Sequence, residues 1–467
     1  MLTVNCIFRG AARFCYAVLL SMGQNYAGRM CVNVVYPCGR HGAEGTREVV
    51  WWDRTRGREI TKPNETYHVR LLSPVPHLFI SNLLSKQQQV HSFPIIYPVI
   101  SIGRDRQQPC AQMLVRRGLA QAALKRAVVV APGRGSYNST ELGTLERLPY
   151  RSSWEDLVSS ADAKCSAAGL MGIRELDAAR TFKRAVHLEA VHASSLIYTL
   201  SVASMRALSR AARRWQPVGI VGNSLGWYTA AHLSGAISFD QGLDLVLSTG
   251  GFQRVAGSVG GQLVYPVVDE DWQQSHTLST AVAAALEVAN GQGFASVSID
   301  LGGIIVLAAD DSGMRALRGA LPPTFRGATR FPLELPGHSA FHTPLMQPMA
   351  ESVAAAPAFQ SPSALPLVDG TGRIWRVGDD AASMRAYTIG DQITTPYHFG
   401  ASLEVALSEW DPDAVLLLGP GGSLGGAIGQ VMARMGWRGI RSKQDFARAQ
   451  ASTSPVLITP GVAPPPK

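Results

Sequence analysis

Gly222-Asn-Ser224-Leu-Gly226 is the stretch of this chain best suited to chemistry. A serine with glycine two residues away on each side can sit on a sharp strand-to-helix turn. That turn lifts its hydroxyl clear of a sheet and onto the positive end of the next helix. The apolar run from Val218 and the helix-like run Trp227-Tyr-Thr-Ala-Ala231 supply the required context on either side. A hydroxyl is a weak nucleophile at neutral pH and needs a base within hydrogen-bond reach. His342, 118 residues downstream in a turn-like segment after an apolar strand, is the first candidate, and His338 competes with it. A serine and a histidine so placed point to acyl transfer, in which a developing oxyanion needs N–H donors. Leu225, next after the serine, offers one backbone N–H, and the Gly-rich loop Pro132-Gly-Arg134-Gly-Ser136 offers another.

Several elements must position these groups. Ala127-Val-Val-Val-Ala131 has the pattern of a short buried strand leading into the Gly-rich loop. Small and apolar side chains recur at three-and-four spacing over 174–214, which predicts two helices, and Pro217 ends that pattern before the elbow strand. Phe239 to Gln253 reads as a further helix. Residues 260–331 alternate short strands with two helices, the pattern of a small ferredoxin-like α+β subdomain. Ala414 to Leu418 is another apolar strand, running into the turn Gly419 to Gly425. The expected fold is α/β: a hydrolase-like core with a parallel sheet and a nucleophile elbow, formed by residues 126–259 and 332–450 and interrupted by the inserted subdomain. The Pro-rich tail, 451–467, is expected to be disordered.

Composition narrows the function classes. Of 467 residues, 46% are hydrophobic and 16% charged, a globular average that hides an uneven charge distribution. Residues 1–126 hold 17 Lys and Arg against 6 Asp and Glu, so the formal net charge of +9 belongs to the N-terminal part. With no recognition helix, RNP-like strand or zinc motif beside that charge, residues 1–125 read as a poorly ordered basic extension with no nucleic-acid role. Five of the six cysteines lie there without a C-x-x-C pair, so no metal site is expected. Cys165 alone in the remainder suits a reducing, cytoplasmic compartment. No apolar stretch has the length of a membrane span.

Taken together, the motifs resemble the malonyl-CoA:acyl-carrier-protein transacylase family, the acyltransferases of fatty-acid and polyketide synthesis, over roughly residues 127 to 440. Ala131-Pro-Gly-Arg-Gly-Ser136 is similar to the family's F-P-G-Q-G-S loop, and Gly222-Asn-Ser-Leu-Gly226 to its G-H-S-L-G elbow. Phe341-His-Thr-Pro-Leu-Met346 is similar to its F-H-S-P-L-M segment, and Leu418-Gly-Pro-Gly421 to its V-G-P-G turn. The resemblance implies that Ser224, activated by His342, takes the acyl group from acyl-CoA and passes it to the phosphopantetheine thiol of acyl carrier protein. It also implies a backbone carbonyl, that of Gln392, as the group orienting the histidine, and main-chain N–H groups of Arg134 and Leu225 as oxyanion donors. No cofactor is bound in such a scheme: acyl-CoA is the substrate, the carrier protein brings the phosphopantetheine, and the enzyme is expected to act as a monomer.

The chain departs from the family in informative places. Arg134 replaces the loop glutamine and Asn223 the elbow histidine, and Thr249 stands where malonyl-selective members carry an arginine that pairs with the substrate carboxylate. Without that bidentate pair, acetyl or another neutral acyl group competes with malonyl as the expected substrate. Arg434, Arg438, Arg441 and Lys443 are the basic residues available to an acidic carrier protein. The alternative activity is a serine hydrolase on a similar scaffold, which would need a carboxylate between Ser224 and His342; Asp310 and Asp311 are the obvious acids, but they fall in the inserted subdomain. A non-catalytic carrier-protein binder is a third reading.

Overall fold

The computed structural model describes residues 124–210 and 215–459 in full, together with the backbone of residue 211 and of four short strands nearer the N-terminus. The chain divides into two compact units, Met1–Gln108 and Pro109–Lys467. In the first unit Met22–Gln24, Met30–Val32, Trp51–Asp53 and Arg58–Ile60 pair antiparallel in chain order. Apart from these strands, the expectation of a poorly ordered extension over 1–125 falls outside the described residues.

The second unit is built on a six-stranded sheet. Strand β1, Lys125–Ala131, is followed after several intervening helices, Glu155–Ala167 among them, by helix α1, Ala190–Ala211, and strand β2, Trp215–Gly222. The elbow then leads into α2, Gly226–Leu233, and α3, Phe239–Ala256. Next comes the inserted part: β3 Gly261–Pro266, α4 His276–Asn290, β4 Ala295–Asp300, β5 Ile304–Ala309, α5 Asp311–Ala320 and β6 Leu333–Glu334. The chain returns to the main sheet with β7 Leu367–Val368 and β8 Ile374–Trp375. It closes with α6 Phe399–Trp410, β9 Ala414–Leu417, α7 Gly425–Met435 and β10 Leu457–Ile458.

The main sheet has the order β8-β7-β2-β1-β9-β10, parallel throughout except for the β7/β8 pair. Residues Ala127 to Ala131 of β1 are completely buried, and they serve two cores in alternation. Ala127, Val129 and Ala131 pack on one face with α1 and α2 residues such as Leu196 and Ala230. Val128 and Val130 pack on the other with Phe399, Leu403 and Ile428 of α6 and α7. A parallel strand covered on both faces cannot alternate with polar residues, so it reads as an unbroken apolar run.

The insert forms its own antiparallel sheet, order β6-β3-β5-β4, over a third core that includes Leu263, Leu307 and Leu317. Its closing strand β6 lies at Leu333–Glu334, just past the boundary of 331 read from the sequence. The tail requires a correction. Its first part is not disordered: β10 runs parallel to β9, with Leu457 opposite Val415 and Ile458 opposite Leu416. The Pro-rich composition conceals a strand of two residues, too short to show a period. Among the described residues no helix is long and apolar enough to cross a membrane.

Candidate active site

The end of β2 makes the turn the sequence calls for. Ser224 sits at φ 52°, in the left-handed region that a non-glycine residue enters only when its surroundings hold it there. Both flanking glycines are sterically required. A Cβ on Gly222 would come within 2.4 Å of the Gly226 carbonyl carbon, and one on Gly226 within 2.1 Å of the Ala131 carbonyl oxygen. The backbone can therefore fold back on itself, with the Asn223 N–H donating to Ala131 O at 2.9 Å, and α2 starts at once.

His342 arrives from the segment after the insert and also holds a left-handed backbone, φ 58°. Its N–H donates to Ile393 O at 3.0 Å, which fixes the segment against the short helix Asp391–Thr394 that carries Gln392. The ring Nε2 lies 2.7 Å from Ser224 Oγ, and Nδ1 lies 2.8 Å from the Gln392 carbonyl oxygen. A carbonyl can only accept, so Nδ1 carries the proton and Nε2 is left as the acceptor for the serine hydroxyl. Burial pushes the imidazole down to about 4, a fall the Gln392 carbonyl partly opposes, so the ring is neutral at neutral pH.

Gln392 reaches the serine as well, its side-chain amide donating to Ser224 O at 3.1 Å. Tyr228 donates to Gln392 Oε1 at 3.2 Å, and Tyr397 donates to Gly222 O at 2.7 Å. These two tyrosines and their roles were not identified in the sequence. Tyr228 lies four residues after Ser224, one helical turn on, and that spacing was the available signal. Tyr397 is distant in sequence and gave none.

Ser224, His342 and Gln392 line a cavity of about 230 Å3 together with Arg134, Leu225 and Thr249. The residues that the sequence offers as nucleophile, base, histidine-orienting group, oxyanion donors and acyl-selectivity position thus line one cavity. Among the described residues the N–H groups of Arg134 and Leu225 donate to no other protein group. Thr249 is buried, and its hydroxyl lies 2.9 Å from Leu245 O and 3.2 Å from Val246 O, within its own helix. Two further cavity-lining residues, Ser136 and Asn223, each keep a buried oxygen without a hydrogen-bond partner.

The competing base is placed elsewhere on the wall. His338 Nδ1 lies 2.8 Å from Gln262 Oε1, and burial, with the nearby Arg134 charge, holds its ring well below the usual histidine range. Asp310 caps α5 by accepting from the Gly313 N–H at 2.7 Å, so this acid belongs to the insert and not to the cavity. Among the described residues no aspartate or glutamate lines the cavity. Among the described residues no three His, Cys, Asp or Glu side chains gather as a metal site. Of the four basic residues near the C-terminus, Arg434 bonds Glu404 at 2.7 Å and Arg438 lies 3.4 Å from Asp411, while Arg441 and Lys443 pair with no acid among the described residues.

Comparison with known proteins gives a consistent result. No protein-family model matches the chain. One curated relative, the polyketide synthase GfsB of Streptomyces halstedii, is 25% identical over 231 residues, which is 49% of this chain but 4% of that protein. Among solved structures, a type II polyketide synthase acyl-carrier protein in complex with its malonyl-transacylase matches with TM-score 0.52 and 23% identity, covering 66% of this chain and 93% of that one. The malonyl-CoA:ACP transacylase of Synechocystis sp. PCC 6803 matches with TM-score 0.54 and 18% identity, covering 72% and 97%. The resemblance read from the motifs therefore extends to the architecture, and the chain has the acyltransferase fold of the acyl-carrier-protein malonyltransferases.

Proposed function

We propose that this protein is an acyltransferase that moves a short acyl group from acyl-CoA to the phosphopantetheine thiol of an acyl carrier protein through an acyl-serine. Ser224 Oγ attacks the thioester carbonyl carbon as its proton passes to His342 Nε2. The carbonyl oxygen becomes an oxyanion and takes hydrogen bonds from the N–H groups of Arg134 and Leu225. Collapse of the intermediate breaks the C–S bond, and the departing CoA sulfur takes the proton from His342. The carrier's thiol then gives its proton to His342 and attacks the acyl-serine, and the same steps in reverse release Ser224.

The observation that carries this reading is the relay ending on the Gln392 carbonyl at 2.8 Å, in a cavity that none of the described residues lines with an acid. An imidazole held at about 4 with no carboxylate behind it is a weak base. A serine hydrolase ordinarily orients its histidine through a carboxylate, and here a backbone carbonyl takes that place. That contrast favours transfer over the hydrolase reading. The cavity's small volume suits a short acyl chain. A carrier protein as acceptor is supported by the matched structure of a transacylase with its acyl-carrier protein, and Arg441 and Lys443 are the basic groups we assign to docking it.

The test is to incubate the protein with labelled malonyl-CoA or acetyl-CoA, look for an adduct on Ser224 by mass spectrometry, and then add carrier protein. An adduct that moves to the carrier is the expected result. No adduct with any acyl-CoA would sink the proposal, and release of the acyl group to water without transfer would establish the hydrolase.

A further inference from the structure

The cavity has a closed part and an open part. Ser194 of α1, Tyr228 of α2, Thr249 of α3 and Met349 line the first, and all four are buried. Val264, Leu301, Leu335 and His338, from the insert and the segment that follows it, line the second, and each is only half-buried. An acyl group on Ser224 fits the closed part. The arm that carries its sulfur then leaves past the open one.

His338 is the polar side chain among those four, and a chain of hydrogen bonds dictates where its proton sits. The Phe341 carbonyl can only accept, so Ser298 of β4 spends its O–H there, at 2.8 Å. The Ser298 oxygen is left to accept from Gln262 of β3, 2.6 Å away, which turns that amide so that Nε2 faces the serine and Oε1 faces His338. Oε1 can only accept as well, so His338 Nδ1, at 2.8 Å, carries the proton. The ring is neutral, since burial and the Arg134 charge hold it well below the usual histidine range. Its other nitrogen, Nε2, is therefore a bare acceptor. Among the described residues no donor reaches Nε2, and the atom is not sealed from solvent.

Apolar walls with one uncharged acceptor are wrong for a phosphate or a carboxylate, neither of which offers a proton. They suit a chain of methylene groups that carries an N–H. The arm of acyl-CoA, like that of a carrier protein, is such a chain, with two methylene groups between the sulfur and the first amide nitrogen. We infer that His338 Nε2 accepts a hydrogen bond from that amide N–H, with Val264, Leu301 and Leu335 against the methylene groups beside it. The inference rests on the proposed acyl transfer and adds a binding residue to it. His338 holds the sulfur at a set distance from Ser224 and takes no part in the proton transfers. Both half-reactions bring the same arm, so one site serves both.

The test uses acyl-CoA, acetyl or malonyl according to which loads faster, and an analogue in which an ester oxygen replaces the N–H nearest the sulfur. Loading of Ser224 is measured as kcat/KM for each in the full-length protein. The wild type should prefer the amide by about tenfold, the worth of one neutral hydrogen bond together with the unpaired acceptor left behind. A preference below about twofold would overturn the inference. In His338→Phe the preference should vanish, and its persistence would show that another group holds the amide and would overturn the inference equally. His338→Leu serves should the phenylalanine variant fail to fold. His338→Gln should keep most of the preference, because its amide can donate to Gln262 and still accept from the arm. Loss there as complete as in His338→Phe would mean that the ring's shape matters and its acceptor does not, which also overturns the inference. A wild type that loads no acyl-CoA at all sinks the acyl transfer, whereas loading without preference sinks this inference alone.

Discussion

Gln392 holds Ser224 and His342 through one residue: its carbonyl accepts from the histidine ring at 2.8 Å while its side-chain amide donates to the serine carbonyl at 3.1 Å. The carbonyl survives any substitution and the amide does not. Gln392→Ala should therefore slow acyl loading without abolishing it, by roughly 2- to 12-fold, corresponding to one neutral hydrogen bond. Single-turnover loading measures this, with the loss expected in kcat more than in KM. A loss as large as that of a histidine variant would mean that the side chain does more than position.

The 2.7 Å contact between Ser224 and His342 makes a sharper prediction. Ser224→Ala should remove the adduct altogether. His342→Ala should lower its rate of formation by about 10²- to 10⁴-fold, the usual range for a lost general base. His338→Ala should have a much smaller effect, because that ring faces Gln262. The reverse ranking of the two histidines would reassign the base.

Burial of His342 fixes the pH response. A base with its pKa near 4 is still deprotonated at pH 5.5, whereas an ordinary histidine would be about nine-tenths protonated there. The loading rate should thus be nearly level from pH 7.5 to 5.5 and fall only as the pH approaches 4; a tenfold drop by pH 5.5 would contradict the assignment. Stability should behave differently. His232, His338 and His342 are all lowered in the folded state, so below about 6.5 the unfolded chain takes up protons that the folded chain does not. Folding stability should fall between about pH 6.5 and 4, by up to about 1.4 kcal/mol per pH unit for each histidine, measured as the denaturant midpoint.

Gly226→Ala tests the elbow itself. The added methyl group would meet the Ala131 carbonyl oxygen at 2.1 Å, backbone against backbone, with no flexible side chain to yield. A loss of about 1–3 kcal/mol or more in urea unfolding is expected, together with loss of loading. A variant with normal stability and activity would show that the turn is looser than its contacts imply.

Different parts of this site were legible to different degrees. The elbow could be read because it is local: two glycines, a serine, an apolar run and a helix lie within fourteen residues. His342, 118 residues from Ser224, could be read as a candidate from its turn-like segment and secured only by the ordered motifs, and Gln392, 168 residues away, only through those motifs. The side chain of Arg134 was not legible at all. The sequence marks it as a loop residue with a backbone donor, while its side chain is placed by Gln253 and Gly337, 119 and 203 residues away. Pairings at that distance are set by packing around the sheet, and no periodicity records them. The antiparallel order of the insert was hidden for the same reason, although its alternation of strands and helices was plain.

The strand β10 has a practical consequence. It pairs along β9, one row out from the strand that carries the Gly-rich loop, and so caps what would be a bare margin of the main sheet. Unpaired N–H and C=O groups on a parallel apolar strand are a template for another chain. A protein cut after Gln450 would keep every residue of the cavity yet expose Ala414 to Leu417, and self-association through that margin is the failure to look for by light scattering.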